Sequence, residues 1–281
     1  MTNLTFPNNY LDHKYSQIHF SFFLQYAELA QININYIDES DTVFIGQQNK
    51  LLFSCLINGK QVIIDYSDNQ KHDWINDYKD IIYFKFQKTQ FSSTKAIPLG
   101  PPIVCIKNQN IKNENILSYF QYKNKFNYNP GKKVLCKQLP NGSATDRRNY
   151  VHGLMSKNLK EYDIDYHDNQ LTFWDKHQDG CISVCVPGFS NNIIDRGQME
   201  LFGLGVCTIS PKLDTQLSYN TLAIPGIHYI QCKDDYSNLI SIIHMLQKNY
   251  EYAKTVGNNA QILFNKCYTP VRYWKWITQN L

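Results

Sequence analysis

The sequence predicts an α/β protein of two domains, the second built on a parallel sheet with helices on both faces. Three observations lead there. Beyond residue 133, short apolar runs alternate with longer helical patterns, the signature of a sheet whose strands are joined by crossover helices. Between the halves, NQNIKNENILSYFQYKNKFNYNPGKK is rich in Asn and Lys, poor in aliphatics and closed by Pro130-Gly131, which suits an interdomain connection. The length of 281 residues is also long for a single domain. Domains of 1–125 and 126–281 follow.

In the first half, IHFSFFLQYAELA (Ile18 to Ala30) has the apolar spacing of an amphipathic helix. ININYI and TVFIG read as short strands. LLFSCLINGKQVIIDYSD places Asn58-Gly59 between two apolar runs, a strong hairpin signal. IIYFKF is a further strand and AIPLGPP a loop. In the second half, the strand Lys133 to Cys136 leads to a helix near Arg147. Then come EYDIDYH, a short helix at QLTFWDKH, the strand CISVCV, a helix at DRGQMELFGLG, and the strands VCTI and HYIQC. DDYSNLISIIHMLQKNYEYAKTVGNNAQILFNKCY and PVRYWKWITQN read as the two last helices. The aromatics of the latter stand at helical spacing. Packing back onto the N-terminal domain explains them better than stacking on a sugar.

Composition removes several classes. The net charge of +4, from 28 basic and 24 acidic residues, comes without a dense basic block, so a nucleic-acid partner is not expected. An RNA-binding module of Tyr, Phe and Lys finds no aromatic-basic strand motif to support it. Anionic small molecules remain plausible partners. MTNLTFPNNYLDHK lacks the basic and apolar regions of a signal peptide, and no apolar stretch is long enough to span a bilayer, so the chain reads as soluble and cytoplasmic. Its eight cysteines are scattered, mostly within runs such as FSCLI, IVCI, VLCK and GVCTI, the distribution of reduced core cysteines. His177, Cys181 and Cys185 invite a zinc site. Cys181, Ser183 and Cys185 alternate on one strand face and no second ligand pair follows, so packing is the better account.

One turn is unusual. LPNGSATDRRNYV sets Gly142, Ser143 and Thr145 at a strand-to-helix turn, with Arg147 and Arg148 on the first helical turn. The partial positive charge of a helix N-terminus favours acids there, not arginines. A bound anion, held by backbone N–H groups and guanidinium forks, resolves the conflict. On this stretch alone, a surface turn capped by Ser143, Thr145 or Asp146 is the simpler account. Arg196 opens the next helix, and ligands of parallel sheets bind at this end of the strands.

GFSNNIIDRGQMELFGLGVCTI and YNTLAIPGIHYIQCKDDYSNLISIIHMLQKNYEYAKTVGNNAQILF resemble the donor-binding half of the capsule-associated and protein O-glucosyltransferase/xylosyltransferase family. In that family a strand and a glycine lead to a Ser-Phe-Arg-type turn and helix, followed by a Tyr-x-x-Leu-x-Pro-x-x-His-Tyr pattern and an acidic-Ser turn. The matching positions are Gly188, Arg196, Tyr219, Leu222, His228, Tyr229, Asp235 and Ser237, and NGSATDRR is similar to the family's Gly-Ser-x-Thr turn with a following Arg. The chain departs at Ile194 and Asp195, which replace the Ser and Phe, at a proline one residue early, and in a shorter Gly-Ser-x-Thr segment. The identity of the donor therefore does not carry over.

The resemblance implies a GT-B-like glycosyltransferase: two Rossmann-like domains with an interdomain cleft, and the C-terminal helix packed back on the N-terminal domain. It would transfer a sugar from a UDP-sugar to a glycan or other hydroxyl acceptor, inverting the anomeric centre. The donor side would use Gly142, Ser143, Thr145, Arg147, Arg148, Gly188, Arg196 and His228. A departing diphosphate needs cations or helix N-termini aimed at it. Arg196 with Arg147 or Arg148 supplies them, so no metal and no cofactor beyond the co-substrate is expected. Of the arginine pair, one functional and one structural residue is expected, and His228 is as well explained by a buried, hydrogen-bonded role as by a catalytic one. The competing Asp163-x-Asp165 pattern would hold Mn²⁺ or Mg²⁺, but two aspartates in three residues arise easily by chance. Glu200 reads as a donor-sugar ligand or a solvent-facing helix residue. The acceptor hydroxyl needs a base. Asp65, ending the strand of KQVIIDYSDNQ in a stretch resembling the family's Asp-Tyr-Pro, is one candidate and Asp68 the other; both equally suit a strand end and turn. The alternative function is a non-catalytic nucleotide- or glycan-binding protein on a decayed scaffold.

Overall fold

A computed structural model of the chain describes residues 2–8, 17–38, 52–67, 75, 80–101, 134–136, 138, 140, 142–159, 176–177, 182–188 and 192–281. Asp68, Asp163, Asp165, Cys181, TVFIG, EYDIDYH and the Asn-rich connection lie outside the described residues. The protein is a mixed α/β chain forming two compact units: Met1–Lys112 with Thr215–Leu222 and Lys266–Leu281, and Asn113–Asp214 with Ala223–Asn265.

The first unit holds a six-stranded sheet of β1 (Asn3–Pro7), β2 (Asn33–Ile37), β3 (Leu52–Ile57), β4 (Lys60–Asp65), β5 (Ile82–Lys85) and β6 (Ile97–Pro98), in the order β2-β1-β3-β4-β5-β6. β3 and β4 form the expected hairpin, with Ile57 opposite Lys60. Its turn residues have φ of 51° at Asn58 and 77° at Gly59, the left-handed pair that a two-residue hairpin requires. β4, β5 and β6 are parallel. β6 is a two-residue edge in the stretch expected to be loop, where Pro98 is tolerated because an edge strand can spare its N–H.

Helix α1 (Gln17–Leu29) presents Phe22, Phe23 and Tyr26 to an aromatic cluster completed by Phe6, Phe53, Tyr66, Tyr268, Tyr273 and Trp274. Phe22 and Tyr26 meet edge-to-face with centroids 4.4 Å apart, and Phe23 lies 4.9 Å from Trp274. Of the four tyrosine hydroxyls in the cluster, those of Tyr66 and Tyr273 pair with each other at 3.0 Å. Tyr273 and Trp274 belong to the C-terminal helix α6 (Pro270–Gln279), which starts with proline at its first turn and thus packs on α1 within this unit. The hairpin of β10 (Gln216–Leu217) and β11 (Thr221–Leu222) turns at Tyr219, whose φ of 61° is unfavourable for an aromatic residue. Tyr219 is held there by donating its hydroxyl to the Arg272 carbonyl at 2.7 Å and by ring contact with Trp276.

In the second unit, β7 (Val134–Leu135), β8 (Ile182–Val184), β9 (Cys207–Ser210) and β12 (Ile230–Gln231) form a wholly parallel sheet in the order β12-β9-β8-β7. Alternation along β8 and β9 makes its faces unlike. Ile182, Val184, Cys207 and Ile209 join an aliphatic core with Val151 and Met155 of α2 (Thr145–Asn158), Leu239, Ile243 and Leu246 of α4 (Leu239–Lys248), and Ala253 and Val256 of α5 (Tyr250–Tyr268). The other face carries Ser183, Thr208 and Ser210. Against it lies α3 (Arg196–Gly203), whose buried Gln198 donates to Thr208 Oγ1 at 3.3 Å and Ser210 Oγ at 3.0 Å. Buried hydroxyls on a sheet are tolerable because this helix brings them partners. The long stretch read as one helix is two: Asn249 ends α4 by donating its N–H and side-chain amide to the Met245 carbonyl, and its own carbonyl starts α5.

Helix α3 ends in a Schellman turn, Gly205 N–H to Phe202 and Val206 N–H to Leu201, with Gly205 at φ 72°. Helix α5 crosses this turn at Gly257, where a Cβ would stand 2.1 Å from the Gly205 carbonyl oxygen. Alanine in a helix interior normally gains up to ~1 kcal/mol over glycine. Here a backbone atom blocks it, so Gly257→Ala is expected to destabilise by about 2–3 kcal/mol, measured as a lowered denaturant midpoint of the second unit.

Candidate functional site

The candidate site lies at the carboxyl edge of the second sheet, where the chain leaves β7 for α2 and β8 for α3. Gly142, at φ 56°, starts a short 3₁₀ turn to Ala144 that feeds α2. Thr145 Oγ1 donates back to the Gly142 carbonyl at 2.8 Å, and Ser143 Oγ reaches across to the Gly188 carbonyl at 3.0 Å. Ala144 is the N-cap of α2 and has no side-chain oxygen, so its side chain offers the first N–H groups of α2 no cap.

Both arginines of α2 donate to the β8 exit. Arg147 Nη2 donates to the carbonyls of Pro187 at 2.7 Å and Gly188 at 3.2 Å. Arg148, buried, donates from Nε to Val186 O at 3.1 Å and sets Nη2 3.7 Å from Asp195 Oδ2. Asp195 completes the lattice. Its Oδ1 accepts the Gln198 N–H at 2.9 Å and so caps α3, while Oδ2 accepts Gln138 Nε2 at 2.5 Å. Gln138 Oε1 in turn accepts the Val186 N–H. Exits of β7 and β8 and the starts of α2 and α3 are thus one hydrogen-bonded body. Among the described residues a Cβ added at Gly188 meets Arg148 Nη2 at an unstrained 3.8 Å, and what Gly188 contributes here is its carbonyl.

Arg196 differs from the α2 pair: its side chain is 41% exposed, with Glu200 Oε1 at 3.9 Å as its ion-pair partner among the described residues. Glu200 is fully buried, and the alternative of a solvent-facing residue does not hold. Beneath the edge, Cys136, Cys185 and Cys232 directly follow β7, β8 and β12, all buried and free. Burial pushes the Cys136 and Cys232 thiols up to about 12, so they act as small apolar groups. The Tyr236 hydroxyl, buried near these thiols and Arg147, has no hydrogen-bond partner among the described residues, and neither has Arg147 Nε. His177 pairs with Ser183 Oγ at 3.1 Å. Among the described residues no group of His, Cys, Asp or Glu stands arranged to hold a metal ion.

His228 is half-buried and closes a turn: its Nδ1 accepts the Ile224 N–H at 2.9 Å and its own N–H returns to the Ile224 carbonyl. Tyr229, fully buried, accepts the Leu213 N–H on its hydroxyl at 3.0 Å. In the first unit, Asp65 ends β4 with no exposure at all. Its Oδ2 accepts Tyr83 Oη at 2.6 Å and faces Lys85 Nζ at 3.1 Å, while Oδ1 accepts the Ser67 N–H at 2.7 Å. Lys85, equally buried, also donates to the Ser67 carbonyl at 2.5 Å. A base role for Asp65 therefore requires this pair to open.

Asp195, Gln138, Tyr236 and Lys85 are the residues that sequence reasoning missed. Asp195 alone carried a signal, since Asp195 and Gln198 stand at capping-box spacing. The others act through partners remote in sequence.

No protein-family model matches the chain, and no curated protein matches it. Among solved structures it is similar to the Anabaena protein Alr3699/HepE, whose crystal structure is in complex with UDP. Identity is 11%, the match covers 70% of this chain and 62% of that one, and the TM-score is 0.44. This chain thus spans less than two thirds of that protein's length. No helix among the described residues is long and apolar enough to cross a membrane.

Two expectations follow from the charges. Lys85→Met leaves a buried carboxylate uncompensated and is expected to cost about 3–5 kcal/mol, with Asp65→Asn/Lys85→Met recovering part of it in a double-mutant cycle of unfolding midpoints. Burial is the largest influence on Asp195 and raises it above its ordinary 3.8, against the lowering by the Gln198 N–H, Arg148, Arg196 and Gln138. The folded protein thus holds this proton more tightly than the unfolded chain. Stability from this group is full below 3.8 and is lost as pH rises through the raised value. Asp195→Asn lacks that dependence, so wild type should gain on the variant in melting temperature as pH falls from 7 toward 4.

Proposed function

We propose that the protein is a glycosyltransferase that uses a nucleotide-sugar, with the donor's phosphates at the carboxyl edge of the second sheet. One observation carries the reading: α2 begins at this edge with an N-cap, Ala144, that supplies no side-chain cap, and the half-exposed Arg196 begins α3 at the same edge. Uncapped N–H groups with a neighbouring guanidinium favour an anion. Arg147 and Arg148 donate to the carbonyls of 186–188, contacts that support the turn. The donor contacts are then the amides after Ser143 and the Arg196 guanidinium, with Gly142, Thr145 and Gly188 shaping the cradle and His228 fixing the Ile224–His228 turn.

In transfer, the bond between the anomeric carbon and the diphosphate oxygen breaks as the acceptor hydroxyl attacks, and negative charge collects on the leaving diphosphate. Arg196 and the α2 amides stabilise that charge without a metal. Uridine as the base, an inverting outcome and a hydroxyl acceptor rest on the family resemblance. The acceptor's proton goes to Asp65, with its Lys85 pair opened, or to Asp68.

Thermal shift tests the reading. At 100 times its Kd, a UDP-sugar should stabilise the protein by about 2.7 kcal/mol, and adenine or guanine nucleotides should not. Arg196→Ala should weaken that shift and slow transfer, EDTA should leave transfer unchanged, and Asp65→Asn should keep UDP binding while reducing transfer by about 10²-fold. Absence of a shift with every uridine nucleotide rejects the donor site. Loss of activity in EDTA with recovery in Mn²⁺ transfers the diphosphate to Asp163 and Asp165.

A further inference from the structure

We propose that Asp195 determines how many phosphates this edge reads: its carboxylate fills the amide cradle at the start of α3, so a second phosphate adds little affinity. The inference rests on the nucleotide reading above and deepens it. Two helices start side by side here, and their ends are unlike. The N-cap residue of α2, Ala144, offers its first N–H groups no side-chain cap, whereas at α3 the Gln198 N–H is already taken by Asp195 Oδ1 at 2.9 Å. A carboxylate in that position is a resident anion. It satisfies the donor that a phosphate oxygen would use and repels a second negative group brought beside it.

The same carboxylate also offsets a cation. Arg148 Nη2 lies 3.7 Å from Asp195 Oδ2, so this guanidinium has its charge offset within the protein. Donors without partners lie beneath the edge. Tyr236, only 2% exposed, and Arg147 Nε are buried without hydrogen-bond partners among the described residues, and they stand close enough for the Arg147 charge to act on the Tyr236 hydroxyl. Arg147 is on the first turn of α2. With the Gln198 N–H taken, α3 contributes Arg196 to an anion but not its helix end.

Calorimetric Kd values for UMP, UDP and inorganic pyrophosphate, on wild type and Asp195→Asn, test this. Asparagine keeps an oxygen to cap Gln198 and removes the charge, and Asp195→Ser is a second capping variant should the first fail to fold. Wild type should bind UDP within about threefold of UMP, and the neutral variant should bind UDP and pyrophosphate about tenfold tighter or more, with UMP little changed. Glu251→Gln, a charge change on α5, should alter none of the three. Equal UDP affinities in wild type and variant, an equal gain for UMP, or the same gain in Glu251→Gln overturns the role of Asp195 and leaves the nucleotide site standing. Failure of UDP and pyrophosphate to bind either protein overturns both.

Discussion

Asp195 holds together the part of the second unit on which any chemistry at this edge depends. It ends the β8 exit, caps α3, accepts from the Gln138 side chain and faces Arg148 of α2. Gln138 and Arg148 then bind the two polar groups of Val186, one its N–H and the other its carbonyl. Strand exits in a parallel sheet leave backbone groups without ladder partners, and groups so buried must be bonded somewhere. Here they are bonded by side chains from the neighbouring exit. The consequence is a turn whose backbone cannot drift, which is the condition for aiming amides at a ligand.

That economy changes the meaning of the arginines. A guanidinium presents five donors in a fixed fork, suited equally to a phosphate and to a run of carbonyls. Arg147 and Arg148 use theirs on residues 186–188, and only Arg196 keeps its fork half in solvent. Electrostatically the edge still carries their positive charge, tempered by Asp195 and Glu200. The α2 arginines thus serve as rigid support for the neighbouring strand exit.

The first unit shows the same physics with a different result. Asp65 and Lys85 end adjacent parallel strands and are fully buried, so each must neutralise the other. Tyr83 and Ser67 take the remaining lone-pair directions. The same unit has an aromatic core built by α1, β1, β3 and α6, in which the Tyr66 and Tyr273 hydroxyls pair with each other. A carboxylate so enclosed stabilises a strand end at once, while any proton transfer through it must first separate it from its lysine.

Element type was largely legible, because periodicity reports burial directly. The Asn58-Gly59 hairpin, the Ile18–Ala30 helix and the alternating strands and helices of the second half all follow from local pattern. Where pattern was weak it failed: the two-residue edge at Ile97–Pro98 has too little sequence to show a period, and Asn249 breaks a helix through bonds that polar composition hides. The sequence by itself determined that Gly142, Ser143, Arg147, Arg148 and Arg196 would stand at helix starts beyond parallel strands, since strand, turn and helix follow one another locally. Only the tertiary structure decided what each of them touches. Arg148 meets Val186 and Asp195 across dozens of residues, Asp65 meets Lys85 on the next strand, and Glu200 is buried and not solvated. Residue type and spacing state which partners a charge can have; burial and register select the one it takes, because a charge removed from water binds the nearest group that compensates it.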